Sequence, residues 1–180
     1  MLIKKQRILY SMNKLKKNKL KNYFLEVLKA SEKNSTCQRL QVAALLIKNN
    51  RIVSTGWNGV PSGFKHCNEV FNKKTITKEK HKNFSENYEL HAEQNCIAFA
   101  AKYGITTEKT EMYVSVAPCV NCAKLIIAAG IKTVYYRDDY DREKKGINLL
   151  KKANIKIKKI GEKQWIMILT KHFIKQFFYY

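Results

Sequence analysis

The sequence has little of what usually divides a chain into separate units. Its 180 residues include two prolines and seven glycines, so no flexible linker is visible, and no internal repeat appears. No apolar run approaches the roughly eighteen residues that span a bilayer, and the N-terminus lacks a secretory signal. We therefore predict one domain over residues 1–180, cytoplasmic and without a membrane partner. It has a core over about 21–160, a basic N-terminal extension (1–20) and an apolar, basic C-terminal tail (161–180).

Acidic residues are also scarce, since 14 Asp and Glu stand against 35 Lys and Arg, for a formal charge of +21. Such an excess can attract phosphate backbones through counterion release. Much of it lies at the two ends: residues 1–35 carry ten basic residues against two acidic ones, and 151–180 carry eight against one. Because the excess is nearly all lysine, a compositional bias explains it. A surface that attracts polyanions or nucleotides is the alternative.

The order of apolar patterns predicts an α/β fold. Helices are predicted at 21–33, 92–104, 119–130 and 142–153, and strands at 41–47, 51–57, 110–117, 132–136 and 155–160. The first two strands flank a tight turn at 48–50, and residues 58–90 form a long polar excursion. Strand and helix alternation predicts a sheet with parallel members, covered by helices on both faces. The apolar tail fits a last helix, a last strand or an oligomer contact.

Five cysteines, an odd number, argue against a disulfide framework and for thiols that are free, catalytic or metal-bound. Cys119 and Cys122 stand three apart after Pro118, at a predicted helix start, so their thiols share one face and can bind one ion. Taken alone, such a pair also fits a redox motif, half of a structural zinc site or two buried cysteines.

A second pair, His91 and Glu93, stands two apart, which on a regular helix turns the side chains about 200° from each other. The two cannot both be ligands on one helix. The spacing favours His91 as a ligand at the helix cap, with Glu93 reaching toward water at the metal. Three ligands, His91, Cys119 and Cys122, leave a fourth position open, which is typical of catalytic rather than structural zinc.

The combined pattern resembles a known signature. His-Ala-Glu at 91–93 followed about 25 residues later by Pro-Cys-x-x-Cys at 118–122 is the signature of zinc-dependent nucleobase deaminases. With "STCQRLQVAALLIKNNRIVSTGWNGVPSGFKHCNEV" and "MYVSVAPCVNCAKLIIAAGIKTVYY", the chain resembles the deoxycytidylate (dCMP) deaminases, particularly those of phages and other viruses, over roughly residues 35–140. The resemblance implies a three-layer α/β/α fold with a mixed five-stranded sheet of the cytidine deaminase type.

The resemblance also implies an activity: hydrolysis of dCMP to dUMP and ammonia, which supplies dUMP for thymidylate synthesis. Zn²⁺ held by His91, Cys119 and Cys122 would activate water, and Glu93 would carry the protons. Asn58 matches a position that hydrogen-bonds the sugar, and Tyr140 is a candidate wall for the base or phosphate.

Family relatives are often hexameric and regulated by dCTP and dTTP, so we expect a homo-oligomer and these effectors. The residues Trp57, Ala43 and Lys102 depart from the family pattern and put the regulation in doubt.

Two alternatives stay open. A polynucleotide deaminase acting on RNA or single-stranded DNA would use the positive charge, but the excursion from 60 to 90 favours closure over a small substrate. We therefore do not expect a nucleic acid partner. A non-catalytic zinc scaffold has no use for Glu93, which is not a ligand.

Three cysteines remain after Cys119 and Cys122 are assigned. Cys96 falls inside an apolar helix, where a small buried thiol is expected. The others sit at loop boundaries, and with a histidine and a glutamate they form a ligand set that zinc accepts in a closed tetrahedral site: Cys37, Cys67, His81 and Glu89. These positions resemble a structural zinc site in viral relatives, although His66 could replace His81. The alternative is two free cysteines and a surface histidine.

Overall fold

The computed structural model describes residues 2–139 and 144–160. The expectations for Tyr140 and for the tail at 161–180 lie outside these residues. The described elements, in chain order, are α1 Leu2–Glu32, β1 Ala43–Lys48, β2 Arg51–Trp57, α2 Cys67–Val70, α3 Lys78–Tyr88, α4 Ala92–Lys102, β3 Glu111–Val116, α5 Val120–Ala128, β4 Thr133–Asp138, α6 Lys145–Lys152 and β5 Lys156–Lys159. None of the described helices combines the length and the apolar character that a membrane crossing requires.

The strands form one mixed sheet in the order β2-β1-β3-β4-β5. β1 is antiparallel to both β2 and β3, while β3, β4 and β5 run parallel. The β1–β2 hairpin turns at Asn49 and Asn50, whose φ angles of 50° and 62° lie in the left-handed region that asparagine tolerates. The predicted mixed five-stranded sheet is confirmed.

Helices cover both faces of this sheet. β1 is buried at nearly every position, which requires apolar cover on both sides. On one face, α1 packs against β1 and the central strands with Phe24, Leu25 and Leu28. On the other face, α4, α5 and α6 contribute buried side chains to a second cluster, among them Ala100, Ile126 and Leu150. The architecture is therefore the expected three-layer α/β/α arrangement.

The structure differs from the sequence expectation in two places. Helix α1 begins at Leu2 rather than near residue 21, because the preceding segment, although weakly periodic, is rich in Leu and Lys and contains no proline or glycine. The polar excursion contains two helices, α2 and α3. Helix α3 is capped by Thr77, whose side chain accepts a hydrogen bond from the Lys80 backbone. Phe84 is the buried residue given for this helix, so the apolar pattern was too sparse to predict a helix here. The other predicted elements are present with ends shifted by a few residues.

Candidate functional site

Three donor atoms meet where two helices begin. His91 is the N-cap of α4, Cys119 is the N-cap of α5, and Cys122 lies in the first turn of α5. The Sγ atoms of Cys119 and Cys122 are 3.5 and 3.3 Å from His91 Nδ1, and the three donor atoms lie within 4.8 Å of one another. Sulfur and nitrogen ligands of a tetrahedral zinc stand about 3.5 Å apart. The cluster therefore fits zinc in spacing and in donor chemistry.

Backbone hydrogen bonds fix both helix starts. The His91 backbone N–H donates to the Gln94 side chain (2.7 Å), and the His91 carbonyl accepts from Asn95 N (2.9 Å). The Cys119 carbonyl accepts from Ala123 N at 2.9 Å, which begins the hydrogen-bond ladder of α5. Since both caps are tied to their own helices, the relative position of α4 and α5 determines how closely His91 and Cys119 approach.

The three donors share protons among themselves. The hydrogen bond from Cys122 lowers the pKa of Cys119 to about 3, and the same contact, together with burial, raises the pKa of Cys122. Hydrogen bonding to Cys119 raises the pKa of His91. The positive ends of helix dipoles favour thiolates at these positions. A divalent cation bound by these three donors would displace their protons.

Glu93 is buried beside this cluster, with 4% of its surface exposed. Burial raises the pKa of its carboxyl, and the nearby positive charge of His91 opposes that rise. The carboxyl also hydrogen-bonds Cys122, but Glu93 does not belong to the group of three metal-ligating donors. A buried carboxyl with a raised pKa next to a group of candidate metal ligands is suited to take up and release a proton.

The four residues of the expected second metal site also come together. The donor atoms of Cys37, Cys67, His81 and Glu89 lie within 4.8 Å of one another. Cys37 Sγ is 3.1 Å from His81 Nε2, and Cys67 Sγ accepts a hydrogen bond from the Gln38 backbone at 3.5 Å. His66, the alternative to His81, instead places Nδ1 3.2 Å from Thr36 Oγ1 and is outside the cluster.

Burial gives this second cluster the character of a metal site. Cys67 is fully buried, which raises the pKa of its thiol to about 11, and burial lowers the pKa of His81. Glu89 is 9% exposed, and its Oε1 atom has no hydrogen-bond partner within the described residues. An unpaired buried carboxylate oxygen is rare, and a cation bound by all four donors would account for it.

Asn58 is buried and holds a neighbouring loop segment in place. Its Oδ1 accepts hydrogen bonds from Ser35 Oγ (2.7 Å) and Val42 N (2.8 Å), and its Nδ2 donates to the Leu40 carbonyl (2.9 Å). Asn58 is thus a structural anchor for residues 35–42, a role beyond the sugar contact that the family resemblance implies.

A polar pocket of about 300 Å³ opens beside this segment. It is lined by residues 35–41 together with Asn68 and Lys73, and Arg39 and Lys73 are its two basic residues. Neither cation belongs to a site predicted from the sequence. Arg39 follows Cys37 by two positions, but nothing in the sequence indicates that Lys73 from the excursion lines the same pocket.

Comparison with known proteins identifies the family. A family model described as the cytidine and deoxycytidylate deaminase zinc-binding region matches residues 17–138. Deoxycytidylate deaminase of Enterobacteria phage T2 is 31% identical, covering 78% of this chain and 92% of the relative. ComE operon protein 2 of Bacillus subtilis is 34% identical, covering 75% of this chain and 68% of the relative.

A solved structure points to the same family as these relatives. The dCMP deaminase of cyanophage S-TIM5, crystallised with dCMP and dUMP, superposes with a TM-score of 0.67 at 31% identity, covering 79% of this chain and 97% of the other. The chain belongs to the cytidine and deoxycytidylate deaminase family. The expected fold type, the zinc cofactor and the class of hydrolytic deaminase are confirmed.

Proposed function

We propose that this protein hydrolyses dCMP to dUMP and ammonia and so supplies dUMP for thymidylate synthesis. The observation that carries the proposal is the buried Glu93 beside the cluster of His91, Cys119 and Cys122. Support for the nucleotide comes from relatives about 30% identical that are named deoxycytidylate deaminase. It comes also from the phage structure that contains dCMP and dUMP.

The residues divide the reaction between them. His91, Cys119 and Cys122 would hold Zn²⁺, which when bound supplies a Lewis acid that activates water. Glu93 accepts a proton from the attacking water and delivers it to N3 of the cytosine ring as the C4–O bond forms. It then takes the remaining proton from the C4 hydroxyl and carries it to the amine as the C4–N bond breaks, so that ammonia leaves and the C4 carbonyl forms. Burial of Glu93, which raises its pKa, suits a group that must be protonated for part of each cycle.

The substrate phosphate requires a basic neighbour, and the polar pocket offers one. Arg39 and Lys73 line it together with Leu40, whose carbonyl accepts from Asn58 Nδ2. A guanidinium and an ammonium that line one pocket suit a phosphate dianion. This arrangement supports a mononucleotide over a nucleoside as the substrate.

An ammonia-release assay tests the substrate directly. We expect turnover of dCMP with far less from deoxycytidine, dCTP, cytosine-containing RNA and single-stranded DNA. Equal kcat/KM for deoxycytidine and dCMP would contradict the need for a phosphate. Turnover confined to the polynucleotides would overturn the proposal in favour of a polynucleotide deaminase.

We also propose that Cys37, Cys67, His81 and Glu89 bind a second, structural zinc. Four protein donors of the kinds zinc accepts leave no position open for water. The unpaired Glu89 oxygen and the short Cys37–His81 contact support it. Such a site would tie α2 and α3 to the segment that precedes β1.

Metal analysis of the purified protein tests the second site. We expect close to two zinc ions per chain, and one in Cys67→Ser. Cys96→Ser is the matched control, because Cys96 is equally buried but contacts Ser54 at 3.4 Å and belongs to neither cluster. One zinc per chain in the wild type, unchanged in Cys67→Ser, would refute the site.

Several expectations from the sequence stay predictions: the single-domain division, the cytoplasmic location, assembly into a hexamer and the effectors dCTP and dTTP. The family departures at Ala43, Trp57 and Lys102 bear on regulation rather than on the proposed chemistry. Sedimentation in the presence and absence of dCTP and dTTP, with parallel rate measurements, tests both assembly and regulation.

A further inference from the structure

The first turn of α6 lies against the backbone that carries Cys119. Gly146 is buried at the second position of α6. A Cβ atom built on it would lie 2.0 Å from the Pro118 carbonyl oxygen, and 2.8 and 2.9 Å from the carbonyl carbon and oxygen of Cys119. All three are backbone atoms, which cannot rotate away as the end of a flexible side chain can. Helix α6 therefore approaches the Pro118–Cys119 backbone as closely as a residue without a side chain allows.

Backbone conformation does not explain a glycine at this position. The described glycines with positive φ are Gly63, Gly104 and Gly130, and Gly146 is not among them. Helix interiors favour alanine over glycine, so local propensity also argues for a side chain here. The close contact with Pro118 and Cys119 is the remaining requirement that only glycine meets.

Hydrogen bonds hold the backbone around Pro118 and Cys119 from two other directions. Ala117 N donates to the Asp138 carbonyl of β4 at 2.9 Å, and the Cys119 carbonyl accepts from Ala123 N of α5 at 2.9 Å. Contact with Gly146 adds the third side. The backbone that carries the Cys119 thiol is thereby confined between β4, α5 and α6.

We propose that Gly146 is a positioning residue for the metal centre. Because it lacks a side chain, α6 can hold the Pro118–Cys119 backbone where the Cys119 thiol shares an ion with His91 and Cys122. The inference rests on the proposed ligand role of Cys119. A methyl group at 146 would have to displace the Pro118 carbonyl by about 1 Å or more to reach ordinary contact, whereas zinc–ligand distances vary by only about 0.2 Å.

The test is the zinc affinity of Gly146→Ala, measured by competition with a chromophoric chelator, and the absorption spectrum of the Co²⁺-substituted protein. We expect about 10- to 100-fold weaker binding, as for other groups that orient a metal ligand, and a changed thiolate–cobalt band. Leu150→Ala is the matched control, since it opens a cavity one turn further along α6, where Leu150 is fully buried. It should lower stability with affinity and spectrum unchanged. The cluster of Cys37, Cys67, His81 and Glu89 is unchanged in all of these variants. Differences in zinc affinity between them therefore report on the site of His91, Cys119 and Cys122.

A double-mutant cycle with Cys119→Ser shows whether Gly146 acts through that ligand. We expect Gly146→Ala to change zinc affinity little once Cys119 is serine, and additive effects would overturn the inference. If Cys119→Ser weakens zinc binding while Gly146→Ala leaves affinity and spectrum as in the wild type, the inference fails and the proposed ligand set stands. If Cys119→Ser itself has no effect, the ligand assignment fails and the inference falls with it.

A second variant covers the case in which Gly146→Ala does not fold. Asn148→Gly weakens α6 at an exposed position without adding an atom, and Ala30→Gly does the same in α1, far along the sequence from the ligands. Zinc should pass to a chelator several-fold faster from Asn148→Gly than from Ala30→Gly. Equal release rates would overturn the inference.

Discussion

Replacing Glu93 by glutamine should leave zinc bound and remove most of the activity. Glutamine is nearly the same size, so the site, in which Glu93 is 4% exposed, needs no rearrangement, but an amide cannot carry protons. General acid–base catalysis contributes about 10²- to 10⁴-fold. We therefore expect kcat to fall at least ~10²-fold, which raises the barrier by at least about 2.7 kcal/mol.

Among the described residues, the side chains next to Glu93 are not free to replace it. The side chains that act on its pKa are His91, Cys119 and Cys122, and all three are proposed ligands. The assay is ammonia release from dCMP, together with zinc content and the thermal unfolding midpoint as controls for site and fold. A variant that keeps more than a tenth of wild-type kcat would refute the proton-transfer role, and one that loses a zinc ion would show that Glu93 is a ligand.

Three further changes have defined outcomes. Gly56→Ala should lower the free energy of unfolding, measured by urea denaturation, by about 1–3 kcal/mol, because the added Cβ would lie 2.4 Å from Cys96 N and 2.6 Å from Ala92 O of α4. Gly59→Ala is the control and should change this free energy little, since the nearest atom to its Cβ is Thr36 Oγ1 at 3.8 Å. Equal losses in the two variants would contradict the packing argument. Asn58→Ala should cost about 1–3 kcal/mol in the same measurement, because partners such as Val42 N lose their hydrogen bond, and an unchanged midpoint would show that solvent satisfies them. Removing zinc with a chelator should abolish ammonia release and lower the thermal midpoint, with recovery on adding zinc back; activity that survives complete metal removal would exclude zinc chemistry.

Short-range spacing made the pairing of Cys119 with Cys122 predictable from sequence, whereas their meeting with His91 was expected from the deaminase signature. Cys119 and Cys122 are one helical turn apart, so forming α5 brings both thiols to one face whatever the rest of the chain does. His91 and Glu93 are likewise assigned different roles by helix geometry alone. The alternation of elements predicted the layered fold for a related reason, since apolar periodicity depends on burial of each segment against a common core.

Which residues meet across long distances in the sequence was decided by tertiary packing. Cys37 and His81 are 44 positions apart, and residue types alone left His66 as a possible replacement for His81. In the folded chain, His81 of α3 is the histidine that lies beside Cys37. The sequence pattern did not predict three further features: the unpaired oxygen of Glu89, the hydrogen bonds of Asn58 and the close approach of Gly146 to Cys119. Such contacts depend on how helices pack on the sheet, and periodicity tells which face of an element is buried but not which atoms it will meet there.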